Sequence, residues 1–566
     1  FSIYLSWWQI VLIAVLAAAF IGLMIFLNIR CPKCEVSYPR TIGVVVSVGL
    51  AVLGCTLYAA KTKAITPDGE LADSYSDYGF VYCFSLVSHG VEKPEDYDHD
   101  VLGELLESLD STDTAPTDGV TSGDTAEVSG QPAEQPNIIY VQLESFFDVS
   151  HIMWLDCSED PTPTFNSLKN GVSGYLTVEN FGGGTANTEF EILTGMNLDH
   201  FGFGEYPYTT ILKSRACESI AQNLKTLGYS THAIHNHTAV FYDRNVAYSS
   251  LGFETFTPVE MMTGVTYNPL GWERDDVLTG EIISALDSTD SPDFVFTVTV
   301  QGHGKYPSEP LDPDKFGDSY EAPDSYDSAG ELITISGTDD PAMLSQLTYY
   351  VNELRETDNF IKALIEALTE RGEPCVVVFY GDHMPALTLT ANDLTNGSLY
   401  ETEYAVWTNT DIFGSDPDSL DRNLEAYMLS AYIQELCSID EGAISRLHRV
   451  ELRTGETDDD GLKMLEYSQL YDDAGSPYER TDMTFGTHPV IMTGWEYDGS
   501  DLTVRGKGFN KYSIVRVGGF DRATTFVDEG TLVVRNILFA DTVPEVWQET
   551  DNKTALAQAV YTEENT

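Results

Sequence analysis

Three glycines lead into a threonine at one point of the chain, and this stretch is the first candidate for chemistry. Gly182 to Gly184 precede Thr185, and residues 188–193 have a composition typical of the first turns of a helix. Glycines leave backbone N–H groups open to a charged ligand, and the positive end of a helix favours a phosphate. Thr185 is therefore a candidate nucleophile, although glycine-rich loops are more often plain turns.

Acidic and imidazole side chains follow two strand-like runs. Glu144 closes the first of these runs, and Asp382 and His383 directly follow the run at 375–380. Carboxylate oxygens with one imidazole and one hydroxyl suit a divalent ion such as Mn²⁺ or Mg²⁺. The alternative is that each acid caps the following helix. Because several groups combine, we predict a metal site made of Glu144, Thr185, Asp382 and His383.

Two further polar clusters also follow strand-like runs. The first extends from His235 to Arg244 and includes Tyr242, and the second is His303 between two glycines. A guanidinium can hold phosphate oxygens, an imidazole can donate a hydrogen bond or manage a proton, and a tyrosine ring can lie against an organic group. We predict that His235, Tyr242, Arg244 and His303 bind the substrate and that His303 is also catalytic. The alternative for Arg244 is an ion pair with Asp243.

Alternating strand and helix patterns are needed to bring these distant residues together. Strand-like runs occur at 137–144, 230–235, 294–300, 375–380 and 404–407, and helical spacing occurs at 216–227 and 341–371. The alternation predicts an α/β sandwich with a central, mostly parallel sheet. In such sheets ligands bind beyond the carboxyl ends of the strands, which is where the candidate residues fall.

Composition and charge limit the class of function. The chain has 566 residues, of which 42% are hydrophobic, so it can hold more than one folded domain. Its 89 acidic and 30 basic residues give a formal net charge of −59. A nucleic-acid binder must neutralise phosphates with Lys and Arg, so no nucleic-acid partner is expected.

Two uncharged runs near the start predict membrane spans. Residues 10–27 and 42–60 are each long enough, with their flanks, to cross about 30 Å of hydrocarbon. The loop between them carries Arg30, Lys33 and Arg40, which the positive-inside tendency places in the cytoplasm. The rest of the chain is then expected outside the membrane.

Four segments follow from these patterns. We predict two transmembrane helices with a short cytoplasmic loop at 1–64, a juxtamembrane segment and flexible linker at 65–136, a catalytic domain at 137–475 and a small β domain at 486–550. The β domain is predicted from short strand candidates at 488–493, 502–505, 514–517 and 531–535. Its glycine-containing stretches resemble those of immunoglobulin-like IPT/TIG modules.

The eight cysteines are scattered and do not predict a disulfide framework. Cys31 and Cys34 have metal-ligand spacing, but a zinc site needs two more ligands, so we favour no metal there. A disulfide between Cys157 and Cys217 is conceivable outside the cell, and the sequence does not determine it.

Five motifs occur in a fixed order: NIIYVQLES, GGGTANTEFE, HNHTAVFYDR, QGHGKYP and YGDH. Together they resemble the lipoteichoic acid synthases, membrane-anchored members of the alkaline phosphatase and sulfatase superfamily, from about Asn137 to Asp473. By this resemblance the predicted metal set would bind the catalytic metal, usually Mn²⁺, with Thr185 as nucleophile. The predicted substrate set would hold a phosphoglycerol group. The chain departs from the family at Tyr242, usually Trp, and at His237, often an acid.

The resemblance also implies a reaction and a location. Phosphoglycerol would pass from phosphatidylglycerol to a growing glycerophosphate polymer or a glycolipid acceptor, through a covalent phosphothreonine. The protein would be a multi-pass protein of the cell membrane, with its catalytic domain on the extracellular face of a Gram-positive bacterium. Most sulfatases of the superfamily make formylglycine from a Cys in a C-x-P-x-R type motif, and because no cysteine here has that context, we set sulfatase activity aside.

Two other functions stay open at this point. A related phosphoethanolamine transferase, or a phosphodiesterase acting on a lipid or cell-wall polymer, is favoured by the departures at Tyr242 and His237. A catalytically inactive binding protein is disfavoured by the complete set of predicted metal ligands.

Overall fold

The computed structural model describes residues 38–61, 71–87, 91, 93–112, 135–202, 204–311, 333–412, 420–538 and 542–562. The chain divides into two compact units, Phe1–His89 and Gly90–Thr566. The described helices of the first unit are Tyr38–Lys61, Leu71–Tyr78 and Phe80–Val87. No helix in these described ranges is long and apolar enough to cross a membrane. The predicted span at 10–27, the Cys31 and Cys34 pair and most of the predicted linker lie outside the described residues.

A nine-stranded sheet forms the centre of the second unit. The strands of the catalytic region are β1 (Asn137–Leu143), β2 (Asp156–Cys157), β3 (Ser173–Thr177), β4 (Ser230–His235), β5 (Thr255–Pro258), β6 (Asp293–Val298), β7 (Ile335–Ser336), β8 (Cys375–Gly381), β9 (Glu401–Thr408), β10 (Leu424–Glu425) and β11 (Thr484–Phe485). The sheet order is β10-β3-β9-β8-β1-β6-β4-β5-β11. In this sheet β9 runs antiparallel to both of its neighbours, and the other pairings are parallel.

Each face of the sheet packs against its own hydrophobic core. In β1, Ile138 and Tyr140 belong to one core and Ile139 and Val141 to the other, because successive side chains of a strand point to opposite faces. Every residue of β1 and β8 is buried, which is typical of parallel strands covered on both sides. The predicted α/β fold with a large, mostly parallel central sheet is confirmed.

Helices cover both faces of this sheet. The α-helices described between residues 99 and 470 are His99–Thr112, Pro163–Leu168, Thr185–Thr194, Ile220–Thr226, Arg244–Ser250, Asp276–Leu286, Pro341–Arg371, Leu429–Leu436, Ala443–Thr454 and Asp459–Leu470. The longest has the bounds predicted from its spacing. Its Asp340 cap accepts a hydrogen bond from the Ala342 N–H, and Gly372 ends the helix with φ 74°.

Two helices begin at residues other than those predicted. The helix predicted at 216–227 begins at Ile220, because the Ser219 side chain caps it by accepting from the Gln222 N–H. The helix expected to begin near Thr188 begins at Thr185. Gly184, at φ 92°, immediately precedes it, so the candidate nucleophile is itself the first helical residue.

A small β sandwich follows the catalytic region. Its strands are β12 (Ile491–Tyr497), β13 (Leu502–Lys507), β14 (Ser513–Val517), β15 (Phe520–Asp521), β16 (Thr524–Asp528), β17 (Thr531–Val534), β18 (Glu545–Glu549), β19 (Ala555–Gln558) and β20 (Val560–Tyr561). They form a five-stranded and a four-stranded sheet around a separate core that includes Val504, Val515 and Leu532. We call residues 491–561 the C-terminal sandwich. The sequence did not predict β16, whose residues are mostly exposed and do not alternate.

The conceivable disulfide between Cys157 and Cys217 is not formed. Both thiols are free; Cys157 lies on β2, and Cys217 is completely buried just before the helix Ile220–Thr226.

Candidate active site

The predicted acidic ligands meet at the carboxyl edge of the sheet. β1 and β8 are parallel neighbours with Leu143 opposite Gly381, so the residues that follow them, Glu144 and Asp382, emerge side by side. Glu144, Asp382 and His383 are all buried and offer ligand atoms within 4.8 Å of one another. The His383 Nε2 atom lies 3.4 Å from Asp382 Oδ2 and 3.7 Å from Glu144 Oε1. The structure thus brings together three of the four predicted metal ligands.

Asp382 has one satisfied oxygen and one that is not satisfied. Its Oδ1 accepts hydrogen bonds from the backbone N–H groups of Ser145 and His383, both at 2.8 Å. Its Oδ2 is buried and has no hydrogen-bond partner. Burial, followed by the nearby Glu144 carboxylate, raises the pKa of Asp382 to about 7. A buried carboxylate oxygen without a donor needs a cation, so the residues fit a divalent metal.

The tautomer of His383 also fits a metal ligand. Its Nδ1 lies 2.9 Å from the Met384 carbonyl oxygen, which can only accept, so Nδ1 carries the hydrogen. The Nε2 lone pair then points toward the two carboxylates. A hydrogen bond from the far nitrogen is the usual support for a metal-binding imidazole.

Thr185 completes the predicted metal set. Its Oγ1 donates to Glu144 Oε2 at 3.1 Å and lies 3.5 Å from His383 Nε2. The helix Thr185–Thr194 is joined to the metal edge at a second point, where the Thr188 hydroxyl donates to the Asp382 carbonyl at 2.8 Å. The predicted nucleophile is therefore held at the predicted metal site.

The glycine-rich loop lets this helix begin close to the metal edge. Gly182 and Gly184 have positive φ, at 72° and 92°. A Cβ at Gly184 would lie 2.6 Å from the Asn180 side chain, so only glycine fits there without a shift. The Gly182 N–H donates to the Met384 carbonyl at 3.1 Å, which fixes the loop beside His383. The loop thus places a helix N-terminus, which favours phosphate, next to the three ligands.

His235 lies at the carboxyl end of β4, and one of its two ring nitrogens is hydrogen-bonded within the protein. Its Nδ1 lies 2.9 Å from the Val298 carbonyl and must carry the hydrogen. Burial, with the positive Arg244 nearby, holds the pKa of His235 well below its usual range. The ring is therefore neutral, and its Nε2 can accept a hydrogen bond from a substrate hydroxyl.

Arg244 has an internal partner that the sequence did not predict. Its Nε lies 3.1 Å from Glu189 Oε1, and its Nη2 contacts the same oxygen. Both side chains are fully buried, and the Tyr248 hydroxyl donates to Glu189 Oε2 at 2.9 Å. The alternative partner, Asp243, pairs with Lys213 instead. Phosphate binding by Arg244 stays a prediction, and what the structure shows is a guanidinium fixed by Glu189.

Glu189 lies one helical turn after Thr185 on the same helix. We expect Glu189→Gln to lower the free energy of unfolding by about 3 kcal/mol, because it leaves the Arg244 charge buried without a counter-charge. Urea unfolding followed by fluorescence measures this loss.

Glu191→Gln is the matched control on the same helix. Burial raises the pKa of Glu191 well above its usual range, which favours the neutral carboxyl, and its Oε1 accepts from the Leu198 N–H. Little change in stability is expected there. Equal losses for the two variants would contradict the assignment of Glu189 as the counter-charge.

Tyr242 and Asp243 adopt backbone angles that are unusual for residues with side chains. Their φ angles are 56° and 57°, in the left-handed region, which costs of order 1 kcal/mol each. The Tyr242 ring stacks on Tyr206 with 5.6 Å between centroids and lies 5.2 Å from the Arg244 guanidinium carbon. Such outliers persist only where neighbouring contacts hold them, and they are common at ligand sites.

Trp272 and Glu273 are further site residues that sequence reasoning missed. The Trp272 ring lies 4.2 Å from that of His303 and 5.5 Å from that of His237. Glu273 Oε2 lies 3.1 Å from His237 Nδ1. His303 itself is half-buried, and its Nδ1 lies 2.6 Å from the Gly304 carbonyl. The sequence gives only a weak signal for Trp272, because a single aromatic residue in a polar loop does not belong to a helical or strand-like pattern.

Comparisons with known proteins place the site residues in a region that matches a known family. Residues 136–416 match the sequence model of the sulfatase family. A Rhizobium meliloti (strain 1021) protein, provisionally named a cyclic beta-1,2-glucan modification protein, is 28% identical over 320 residues, which are 56% of this chain and 44% of that protein. The chain spans between 42% and 44% of the length of the curated relatives it matches.

Solved structures of similar fold include two bacterial enzymes. The Streptococcus pyogenes phosphoglycerol transferase GacH, in complex with sn-glycerol-1-phosphate, aligns with a TM-score of 0.53 at 21% identity over 67% of this chain and 95% of its own. The lipoteichoic acid synthase LtaP from Listeria monocytogenes aligns with a TM-score of 0.42 at 19% identity over 65% of this chain and 81% of its own. The resemblance to the alkaline phosphatase and sulfatase superfamily is confirmed at the level of the domain and its fold.

Proposed function

We propose that this chain, which carries a sulfatase-family domain at residues 136–416, is a metal-dependent phosphoglycerol transferase. Phosphatidylglycerol is the donor in this proposal, and a glycerophosphate polymer or glycolipid is the acceptor. Enzymes of this superfamily transfer phosphate groups or hydrolyse esters. The choice of phosphoglycerol rests on the motif resemblance and on the activity in the name of GacH.

One observation carries the proposal. A buried threonine hydroxyl begins a ten-residue helix and lies within 3.5 Å of two side chains of a buried carboxylate and imidazole cluster. The same cluster contains a buried carboxylate oxygen of Asp382 that has no hydrogen-bond partner. A threonine with only a structural role does not account for this oxygen, whereas a bound cation does. The arrangement is that of a nucleophile next to a cation site.

The first half of the reaction uses the residues around Thr185. Glu144, Asp382 and His383, with Thr185 Oγ1, would hold Mn²⁺ or Mg²⁺, which lowers the pKa of a hydroxyl and offsets negative charge on a phosphoryl group when bound. The Thr185 hydroxyl directs its hydrogen toward Glu144. Glu144 takes the proton as Oγ1 forms a bond to phosphorus and the bond from phosphorus to the diacylglycerol oxygen breaks. The N-terminal N–H groups of the helix face the phosphoryl oxygens.

The second half returns the enzyme to its starting state. Diacylglycerol leaves after its oxygen takes up a proton from the half-buried His303, the predicted catalytic imidazole. A hydroxyl of the acceptor then gives its proton to His303 and attacks the phosphothreonine. Its oxygen bonds to phosphorus, the bond to Thr185 breaks, and the threonine oxygen takes back the proton held by Glu144. Neutral His235 can accept a hydrogen bond from a hydroxyl of the bound glycerol.

The proposed location follows from the sequence and from the lipid donor. The uncharged runs at 10–27 and 42–60 would anchor the protein in the cell membrane, with the catalytic region on the extracellular face. A tether of this kind would keep Thr185 near lipid head groups.

A second candidate acceptor is a polysaccharide. The name of the Rhizobium meliloti relative associates it with modification of a glucan, and the same chemistry would place phosphoglycerol on a sugar hydroxyl. Phosphoethanolamine is the alternative head group.

The test is an assay of the purified protein with Mn²⁺ and labelled lipids. We expect release of labelled diacylglycerol from phosphatidylglycerol, and a phosphoglycerol adduct of the protein in intact-mass spectra. Phosphatidylethanolamine is the matched comparison, and faster release from it would replace the proposed head group. Free glycerol phosphate without an elongated acceptor would identify a phosphodiesterase. No release from either lipid would contradict the proposal.

A further inference from the structure

The C-terminal sandwich contacts the catalytic region through two buried amides. Asn510 Nδ2 donates to the carbonyl oxygens of Glu260 and Met262, both at 2.8 Å, and Gln548 Nε2 donates to the Glu260 carbonyl at 3.0 Å. Asn510 is 7% exposed and Gln548 is fully buried. Next to these contacts the Met261 side chain packs against the core of the sandwich. The short 3₁₀ helix Val259–Met261 is therefore fixed from the C-terminal side.

The same short helix contacts the segment that connects two predicted substrate residues, His235 and Arg244, and includes a third, Tyr242. We call residues 236–243 the clamp loop. The Glu260 carboxylate accepts the Ala239 N–H at 3.0 and 3.3 Å, and the Val259 N–H donates to the His237 carbonyl at 3.1 Å. Glu260 is fully buried, so its bond to the Ala239 N–H is protected from water, and burial raises the pKa of this carboxyl to about 7. Glu260 thus contacts the sandwich with its backbone carbonyl and the clamp loop with its side-chain carboxylate.

The clamp loop needs such support because its backbone is strained. Tyr242 and Asp243 both have positive φ without being glycine. The carbonyl of Ala239 accepts the Asn245 N–H at 2.9 Å, so both polar backbone groups of Ala239 are held in place. Loss of the Glu260 contact would free the first half of the loop from its fixed position.

A second contact holds the other side of the site. Residues 266–274 form a small hairpin, in which the Asn268 N–H donates to the Trp272 carbonyl at 2.8 Å and Tyr267 pairs with Glu273. Lys511 of the sandwich lies 4.6 Å from the centre of the Tyr267 ring. This hairpin carries Trp272, which packs against His303.

We infer that the C-terminal sandwich supports the active site, and that Asn510, Gln548 and Glu260 are positioning residues that hold the clamp loop. The kinetic consequence rests on the proposed function, whereas the effect on the loop does not. Removing the contacts loosens the clamp loop and raises KM more than it lowers kcat, because Thr185 and the metal ligands stay in place.

Asn510→Ala and Glu260→Gln test this inference in the full chain. Asn510→Ala removes the two hydrogen bonds that this side chain donates to the carbonyls of Glu260 and Met262. Glu260→Gln keeps the docking and replaces one of the two carboxylate oxygens that contact the Ala239 N–H with an amide nitrogen, which cannot accept. We expect hydrogen exchange at the Ala239 amide to be about 5-fold faster or more in each variant. We also expect KM for the lipid donor to rise about 5- to 30-fold with a smaller change in kcat.

Val504→Ala is the control for a general loss of stability. Val504 is fully buried in the core of the sandwich, and its apolar side chain makes no hydrogen bond to the short helix. It should lower Tm without changing Ala239 exchange or KM at temperatures well below unfolding. Unchanged exchange and KM in Asn510→Ala and Glu260→Gln would overturn the inference, as would an equal effect of Val504→Ala. If the wild type has no lipid activity, the proposed function fails, and the exchange measurement still decides the role of these residues.

Discussion

Thr185→Ala is expected to lower the rate of diacylglycerol release on the order of 10³-fold or more, because the substitution removes the oxygen that would carry the phosphoryl group. The residue is 6% exposed, and its Oγ1 is a hydrogen-bond donor to Glu144, so a methyl group at this position causes little steric conflict. Steady-state release of labelled diacylglycerol measures the rate. Intact-mass spectra should show that the phosphoglycerol adduct of the wild type is absent from the variant.

Thr194→Ala provides a matched control for this experiment. Thr194 ends the same helix, is equally buried, and uses its hydroxyl to bond the Phe190 carbonyl at 2.7 Å. Its loss should cost some stability and leave the rate and the adduct close to wild type. Activity that survives Thr185→Ala, or an adduct on another residue, would contradict the nucleophile assignment.

The metal edge could be predicted from the sequence because its residues are fixed by the sheet. Glu144 directly follows β1, and Asp382 and His383 directly follow β8. Parallel neighbours end at the same edge, so recognising two buried strands was sufficient to place these side chains together. Thr185 was predictable as a candidate nucleophile because glycines let the backbone approach a charged ligand, whereas the start of its helix was expected near Thr188.

The substrate side was less predictable because long-range packing determines it. Arg244 was assigned to phosphate from its chemistry alone, and nothing in the sequence indicates that Glu189 pairs with it from another element. The clamp loop shows the same limit. Its position depends on Glu260 and on Asn510, which lies 250 residues further along the chain. Local patterns describe strands and helices, whereas buried ion pairs and amide contacts between distant segments follow only from the packed structure.

The C-terminal sandwich illustrates how exposure limits pattern reading. β13, β14 and β17 were predicted within a few residues because their inward side chains alternate with outward ones. β18 and β19 were not predicted. Two consecutive residues of β18, Gln548 and Glu549, are polar and buried, which breaks the usual alternation. Gln548 is one of the two amides that contact Glu260, so the break in the pattern coincides with the contact to the catalytic region.

Asp382→Asn is expected to have opposite effects on stability without and with metal. Without metal, the wild type buries the carboxylates of Asp382 and Glu144 close together, and burial with this neighbour raises the pKa of Asp382 to about 7. The amide side chain of the variant would keep the two hydrogen bonds that Oδ1 accepts from backbone N–H groups, and would lose only the charge and the unsatisfied oxygen. The metal-free variant should therefore be more stable than the metal-free wild type by about 1–3 kcal/mol.

With metal, the order should reverse. A metal ion at 1,000 times its Kd stabilises the folded wild type by about 4.1 kcal/mol, and a variant that lacks one anionic ligand should gain much less. Urea unfolding with a chelator and with saturating Mn²⁺ measures both effects. Asp358→Asn is the control, because Asp358 is a buried carboxylate that accepts the Thr164 and Phe165 N–H groups away from the site, so its loss should leave the gain from Mn²⁺ unchanged. If Mn²⁺ stabilises the wild type and Asp382→Asn equally, the metal binds elsewhere. At the site of Glu144, Asp382 and His383, the unsatisfied oxygen of Asp382 would be a ligand, so its replacement should reduce the stabilisation by Mn²⁺.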